Sequence, residues 1–199
     1  MRHPILTLSL LVSLAPVAAV AQTADPARTT VQQLDDDLIR AMKAGGTMQA
    51  RTAALTSALD RAFDLPLMTR LAVGPAWAKL GGADQQALLR SFRRMTIAQY
   101  ARNFDSWSGE SFTIDPQVQQ RGGDRLVRTT LNVPRQAPVA ISYRLRQSGS
   151  AWKIIDVFYR NSISQIATRR SDFAAVLQKG GAAALAAHMD AIAAKGEKF

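Results

Sequence analysis

Apolar residues fall on every second position in two neighbouring stretches. Val139, Ile141, Tyr143 and Leu145 form the first, Trp152, Ile154 and Phe158 the second, and Ser148-Gly149-Ser150 separates them. Period-two alternation predicts half-buried β-strands, and a short gap containing glycine predicts the turn of a hairpin. Ala151, Ile155, Val157 and Tyr159 make the other face of the second strand apolar too, so it is expected to be covered on both sides. Upstream, Val127, Thr129, Leu131 and Val133 are in phase within a strand spanning Leu126 to Val133. Ser111 to Val118 is a weaker strand, interrupted by Pro116 and therefore expected at an edge. Four strands with short links predict an antiparallel meander.

Elsewhere the period is helical. Val31, Leu34, Leu38 and Met42 mark one helix, and Leu55, Leu59 and Phe63 mark another after Gly45-Gly46. In Phe63-Asp64-Leu65-Pro66 the aspartate suits an N-cap and the proline a first turn, which predicts a short helix ending at Gly74-Pro75, before Trp77. The other reading of Asp64 is a carboxylate at the mouth of a pocket. Asp84 to Trp107 is the longest helical stretch, with Leu88, Phe92, Met95 and Tyr100 on an apolar side and Arg90, Arg93, Arg94 and Arg102 on a basic one. After the strands, Ser162 and Gln165 have capping-box spacing. The helix they predict has Ile163, Ile166, Phe173 and Leu177 as its inward stripe. Arg170 falls on that stripe and, if buried, needs a carboxylate partner, for which Asp64, Asp156 and Asp172 are candidates; the other reading is contact with a lipid headgroup. Gly180-Gly181 ends this helix, and Ala182 to Ala194 forms a last one. The fold class is α+β, a four-stranded antiparallel curved sheet flanked by helices and enclosing an apolar cavity.

Before all this stands a different pattern. Met1-Arg2-His3-Pro4 is short and basic, Ile5 to Leu14 is almost wholly apolar, and Ala19-Val20-Ala21 has the small-x-small form of a cleavage site. Residues 1–21 therefore read as a secretory signal peptide, and residues 22–199 as a single domain in an exported protein. The chain has no cysteine, which removes disulfides, thiol catalysis and cysteine metal sites. Its two histidines are His3, in the leader, and His188, in the alanine-rich last helix. One remaining histidine cannot build a histidine-rich metal site, and no phosphate-binding glycine loop is present, so no metal and no cofactor are expected. Asp35-Asp36-Asp37 lacks the alternation and glycine bend of a calcium loop and is expected to be a solvated helix face. A formal charge of +10 draws the protein to anionic surfaces. For an exported chain without a basic-aromatic binding motif these are membranes and lipid phosphates rather than nucleic acid.

The run Tyr143-Arg144-Leu145-Arg146, then Trp152-Lys153-Ile154-Ile155-Asp156-Val157, then Arg169-Arg170-Ser171-Asp172-Phe173 followed by Gly180-Gly181, resembles the periplasmic phospholipid-carrier family that includes MlaC and the toluene-tolerance proteins. The block Phe63 to Leu80 is similar to that family's aspartate-capped helix, glycine and tryptophan. Arg170 and Phe173 fall on the family's R-x-x-F positions. The form Ile163 to Leu177 looks closer to the hopanoid-associated branch, HpnM, and Asn161 stands before Ser162 where the phospholipid branch has a glycine. The resemblance implies an NTF2-like or cystatin-like cone. It also implies a lipid ligand, phospholipid or hopanoid, carried between inner and outer membranes, with membrane-bound ABC-transporter components as partners.

The expected pocket residues are Leu71, Trp77, Phe92, Met95, Val127, Leu131, Ile141, Tyr143, Ile154 and Phe158. Their role is apolar contact, since each buried methylene contributes about 0.8 kcal/mol and an acyl chain or polycyclic terpenoid needs no catalytic group to bind. No catalytic residue is expected. Two other readings stay open. In one, Asp156, on the face of Ile154 and Phe158, is a buried general base of a small isomerase-like enzyme with Tyr143 as the acid. In the other, the chain bridges envelope complexes without cargo, which a solid core would favour.

Overall fold

The computed structural model describes residues 25–195. The expected signal peptide and the last four residues lie outside the described residues.

Helix α1 (Pro26–Ala44) starts where Asp25 accepts a hydrogen bond from the Ala27 amide at 2.8 Å, and α2 (Met48–Ala62) is capped in the same way by Thr47. Helix α3 (Leu65–Val73) begins at Asp64, whose carboxylate accepts from the Leu67 amide at 2.9 Å. It ends at Gly74, which takes a positive φ of 69°, and a 3-10 turn, Gly74–Lys79, carries Trp77. Helix α4 (Gly82–Asn103) stops at Phe104, short of the predicted Trp107. There Glu110 folds back to accept from the Ser108 amide and hydroxyl, closing a loop that the helix cannot enter.

The sheet follows, with β1 (Ser111–Ile114), β2 (Gln119–Arg121), β3 (Asp124–Asn132), β4 (Val139–Ser148), β5 (Ala151–Tyr159) and β6 (Ile163–Ser164). The order is β1-β3-β4-β5-β6, with β2 also paired to β3, and every pair of strands is antiparallel. The sheet therefore has six strands rather than four. The expected first strand is cut at Asp115-Pro116 into β1 and β2, which pair with opposite ends of β3. Pro116 cannot donate to the ladder, and Asp115 instead accepts from the Gln117 amide at 2.9 Å. The sixth strand arises because the chain after β5 does not enter a helix at Ser162. It turns through Arg160 and Asn161, both at positive φ, and pairs back onto β5.

Helix α5 (Gln165–Lys195) is therefore capped by Ser164, not Ser162: the Ser164 hydroxyl accepts from the Ala167 amide at 3.0 Å. Gly181, at φ 69°, breaks α5 where the glycine pair predicts a stop. The helices gather on the sheet face formed by Val127, Ile141, Tyr143, Leu145 and Ile154, all of them buried. The link between α2 and α3 is fixed to the sheet directly, because the Asp64 amide donates to the Ile154 carbonyl at 2.9 Å. The opposite face carries a polar cluster where β3 begins, with buried Asp124 accepting from Arg146 and Arg144 at 2.6 Å each. The Arg146 bond foremost, with Arg144 adding to it, holds the Asp124 carboxyl below the usual range. Among the described residues, no helix is long and apolar enough to cross a membrane.

Candidate functional site

Between the sheet and helices α3, α4 and α5 lies a cavity of about 250 Å³. Its sheet side is Leu131 from β3, Val139, Ile141 and Tyr143 from β4, and Val157 and Tyr159 from β5. Its helix side is Phe63, Met68, Phe92, Tyr100, Phe104 and Ile166. Aromatic rings pack along this wall in sequence, Phe63 to Tyr100 at 5.4 Å, Tyr100 to Phe104 at 5.7 Å and Phe104 to Phe112 at 6.2 Å. Such edge and offset contacts stiffen a wall that no solid core supports from inside. The polar lining gathers on two helices. Thr96, Gln99 and Asn103 share one stripe of α4, while Gln165 and Arg169 share one stripe of α5. Arg169 closes that seam by donating to the Gln99 side-chain oxygen at 2.6 Å.

Four of the ten expected pocket residues line this cavity: Phe92, Leu131, Ile141 and Tyr143. Met95, Val127 and Ile154 are fully buried in the surrounding core, off the cavity wall, and Leu71 and Trp77 pack against that core from its edge. Phe158 is on the other side of the sheet. The reason is a β-bulge on β5. Tyr143 pairs with Val157 and Arg144 with Asp156, but Leu145 pairs with Ile154, so Ile155 is an extra residue. The bulge reverses the alternation, leaving Ile154, Val157 and Tyr159 on the helix face and turning Asp156 and Phe158 away from it. Val157 and Tyr159 are thus wall residues that strict alternation from Trp152 misses. The legible signal for them is the second apolar face of this strand.

Asp156 has a different task from the one a general base would need. It points to the N-terminus of α5, accepting from the Ser164 hydroxyl at 2.6 Å, the Ile166 amide at 3.1 Å and the Val157 amide at 2.8 Å. A carboxylate there satisfies donors that the helix leaves open and complements its dipole. Asp156→Ala is expected to lower stability by about 1–2 kcal/mol, measured by urea titration. An Asp156→Ala protein as stable as the parent would contradict the capping role. Asp64 likewise is a cap and does not reach the cavity. Arg170 is exposed rather than inward, and its Nε donates to the Leu71 carbonyl at 2.8 Å, covering the end of α3 beside Gly74. His188 packs edge-on against the Phe173 ring at 6.4 Å.

The aspartate triplet is not a uniformly solvated face. Asp36 is exposed, whereas Asp35 is 1% exposed, and neither of its carboxylate oxygens has a hydrogen-bond partner. Burial, reinforced by the charge of Asp36, pushes its carboxyl up to about 8. Burial also raises the Tyr100 and Tyr143 hydroxyls, and in both cases Asp35 contributes next. A buried carboxyl thus stands close enough to these two cavity-wall tyrosines to influence them.

Together these features define a class: an α+β domain with an aromatic-walled cavity between sheet and helices, suited to holding an apolar molecule by contact. The match to known families is more specific. Residues 31–191 match the family model described as MlaC protein, and the chain belongs to the MlaC family. Among solved structures, it is similar to a phospholipid-binding protein from Ralstonia solanacearum determined in complex with a phospholipid. The identity is 24%, the TM-score is 0.76, and the alignment covers 86% of this chain and 98% of that one. That likeness shows the same fold. Among curated proteins, none matches this chain.

Proposed function

We propose that this protein is a lipid carrier of the periplasm, shuttling phospholipid or hopanoid between inner and outer membranes as the soluble component of an ABC-type transport system. The observation that carries the reading is the cavity. A protein that only bridged complexes would gain stability by filling about 250 Å³ of apolar space with side chains, because unfilled volume costs packing contacts. This chain instead keeps the space and surrounds it with aromatic rings. Membership of the MlaC family supports a lipid as the occupant, as does the phospholipid held by the Ralstonia protein of the same fold. The apolar leader at residues 1–21 supports export.

Transfer between vesicles tests the reading. Donor vesicles carry a fluorescent phospholipid or a labelled hopanoid, and acceptors carry none. The protein is expected to raise transfer of one of these lipids in proportion to its concentration. Transfer that stays at the spontaneous rate for both would overturn the proposal.

A further inference from the structure

Among the described residues, two large hydrophobic side chains are exposed, Ile163 at 50% and Trp107 at 45%. Ile163 pairs at the end of the sheet where β5 finishes, and Trp107 precedes β1, which begins at that same end. Ile163 is the cross-strand partner of Tyr159, a wall residue, on the edge strand β6. Directly paired residues share a face of the sheet, so Ile163 continues the cavity wall outward into solvent. Two residues later the chain re-enters the wall at Gln165 and Ile166. Trp107 follows three residues after the wall residue Phe104, which keeps their Cα atoms within about 11 Å of each other.

A cation lies over the Trp107 ring, and another lies over the Tyr159 ring that pairs with Ile163. Arg160, exposed, lies in the turn that leads to Ile163, with its guanidinium 5.6 Å from the centre of the Tyr159 ring. Lys43, exposed, has its ammonium 4.8 Å from the centre of the Trp107 ring. The turn is held in place. Asn161 accepts a 2.6 Å hydrogen bond from the Ser142 hydroxyl, and Arg160 and Asn161 both keep positive φ, which is uncommon for an arginine and more readily taken by an asparagine. The indole nitrogen of Trp107 is likewise tied, donating to the Glu110 carbonyl at 3.1 Å.

An exposed isoleucine three residues after an exposed arginine, and an exposed tryptophan under a lysine, suit one kind of surface. Indole rings settle at the headgroup level of a bilayer, aliphatic side chains gain from entering its apolar boundary, and lysine and arginine pair with lipid phosphates. We propose that the two exposed groups at this end of the sheet, Ile163 with Arg160 by the β6 edge and Trp107 with Lys43 by the β1 edge, dock on an anionic lipid bilayer, so that cargo passes between membrane and cavity between them. The formal charge of +10 on the whole chain favours the same partner. This inference rests on the carrier reading and adds the surface through which loading occurs.

Flotation of the protein with vesicles tests it, using phosphatidylcholine alone or phosphatidylcholine with phosphatidylglycerol. The parent is expected to float with the anionic vesicles and to be released by high salt. Arg160→Glu reverses one charge on this surface and is expected to weaken this binding on the order of tenfold. Ile163→Glu, on an exposed edge position that folding does not depend on, is expected to weaken it at least as much. Both variants should still take up phospholipid presented in detergent, because neither residue lines the cavity. Parent-like flotation of both variants would overturn the proposal. So would a parent that ignores anionic vesicles yet loads lipid from detergent, which would assign this surface to a protein partner. A parent that loads no lipid by either route would overturn the carrier reading itself.

Discussion

Asp35→Asn is expected to make the stability of this protein nearly independent of pH between about 5 and 8, where the parent loses stability steadily. In the folded parent the Asp35 carboxyl keeps its proton up to about 8, because burial disfavours its charge, whereas the ordinary value is 3.8. Between those values unfolding releases a proton, so the unfolded state gains as pH rises. Below the lower value both states are protonated, and above the upper one both are ionised, so the slope is confined to that window. Within it the loss is about 1.4 kcal/mol for each pH unit. Asp124 acts elsewhere: its carboxyl is held below the usual range, so the stability it contributes is lost only as pH falls toward and below 4. Urea unfolding at pH 5, 6.5 and 8 separates the two. An Asp35→Asn variant with the parent's slope would show that the buried carboxyl is not its source.

The second large effect concerns the cavity. Val157→Trp is expected to cut lipid retention by a factor of ten or more while leaving the protein folded. Val157 is a half-buried wall residue, so an indole at this position extends into open space rather than into packed core. Each methylene of cargo kept out forfeits about 0.8 kcal/mol, and losing two or three of them accounts for the factor. Phe158→Ala is the matched control, one residue along on the other side of the sheet. It should leave retention unchanged. The pair discriminates sharply, since strict alternation from Trp152 along this strand makes Phe158 the wall residue and Val157 the outward one. Retention lost in Phe158→Ala and kept in Val157→Trp would place the cargo outside the cavity described here.

That strand also shows how far the sequence could be read. The meander, the hairpin at Gly149 and the cap at Asp64 were legible because each depends on local chemistry: alternation, a turn glycine, an aspartate ahead of a proline. The bulge was not legible. Ile154-Ile155-Asp156-Val157 offers apolar side chains in both phases, so only pairing with β4 decides which residue is extra. Ile163 was hidden for a related reason. Its spacing from Ile166 fits a helix, but the positive-φ turn before it turns the chain back onto β5 and leaves it exposed at the sheet edge. Asp35 was hidden by composition, since three consecutive aspartates suggest a solvated face while helical geometry sends one of them toward the core. Arg170 erred in the other direction: it lies on the apolar stripe by count, yet its long side chain reaches the end of α3 and stays exposed.

Whether the cavity holds lipid is decided by native mass spectrometry of the protein purified from a periplasmic extract. Discrete mass additions that organic solvent releases, identified as phospholipid or hopanoid, are expected in the parent and in Phe158→Ala and should be depleted in Val157→Trp. A bare protein mass, unchanged after incubation with vesicles of both lipids, would contradict the carrier reading.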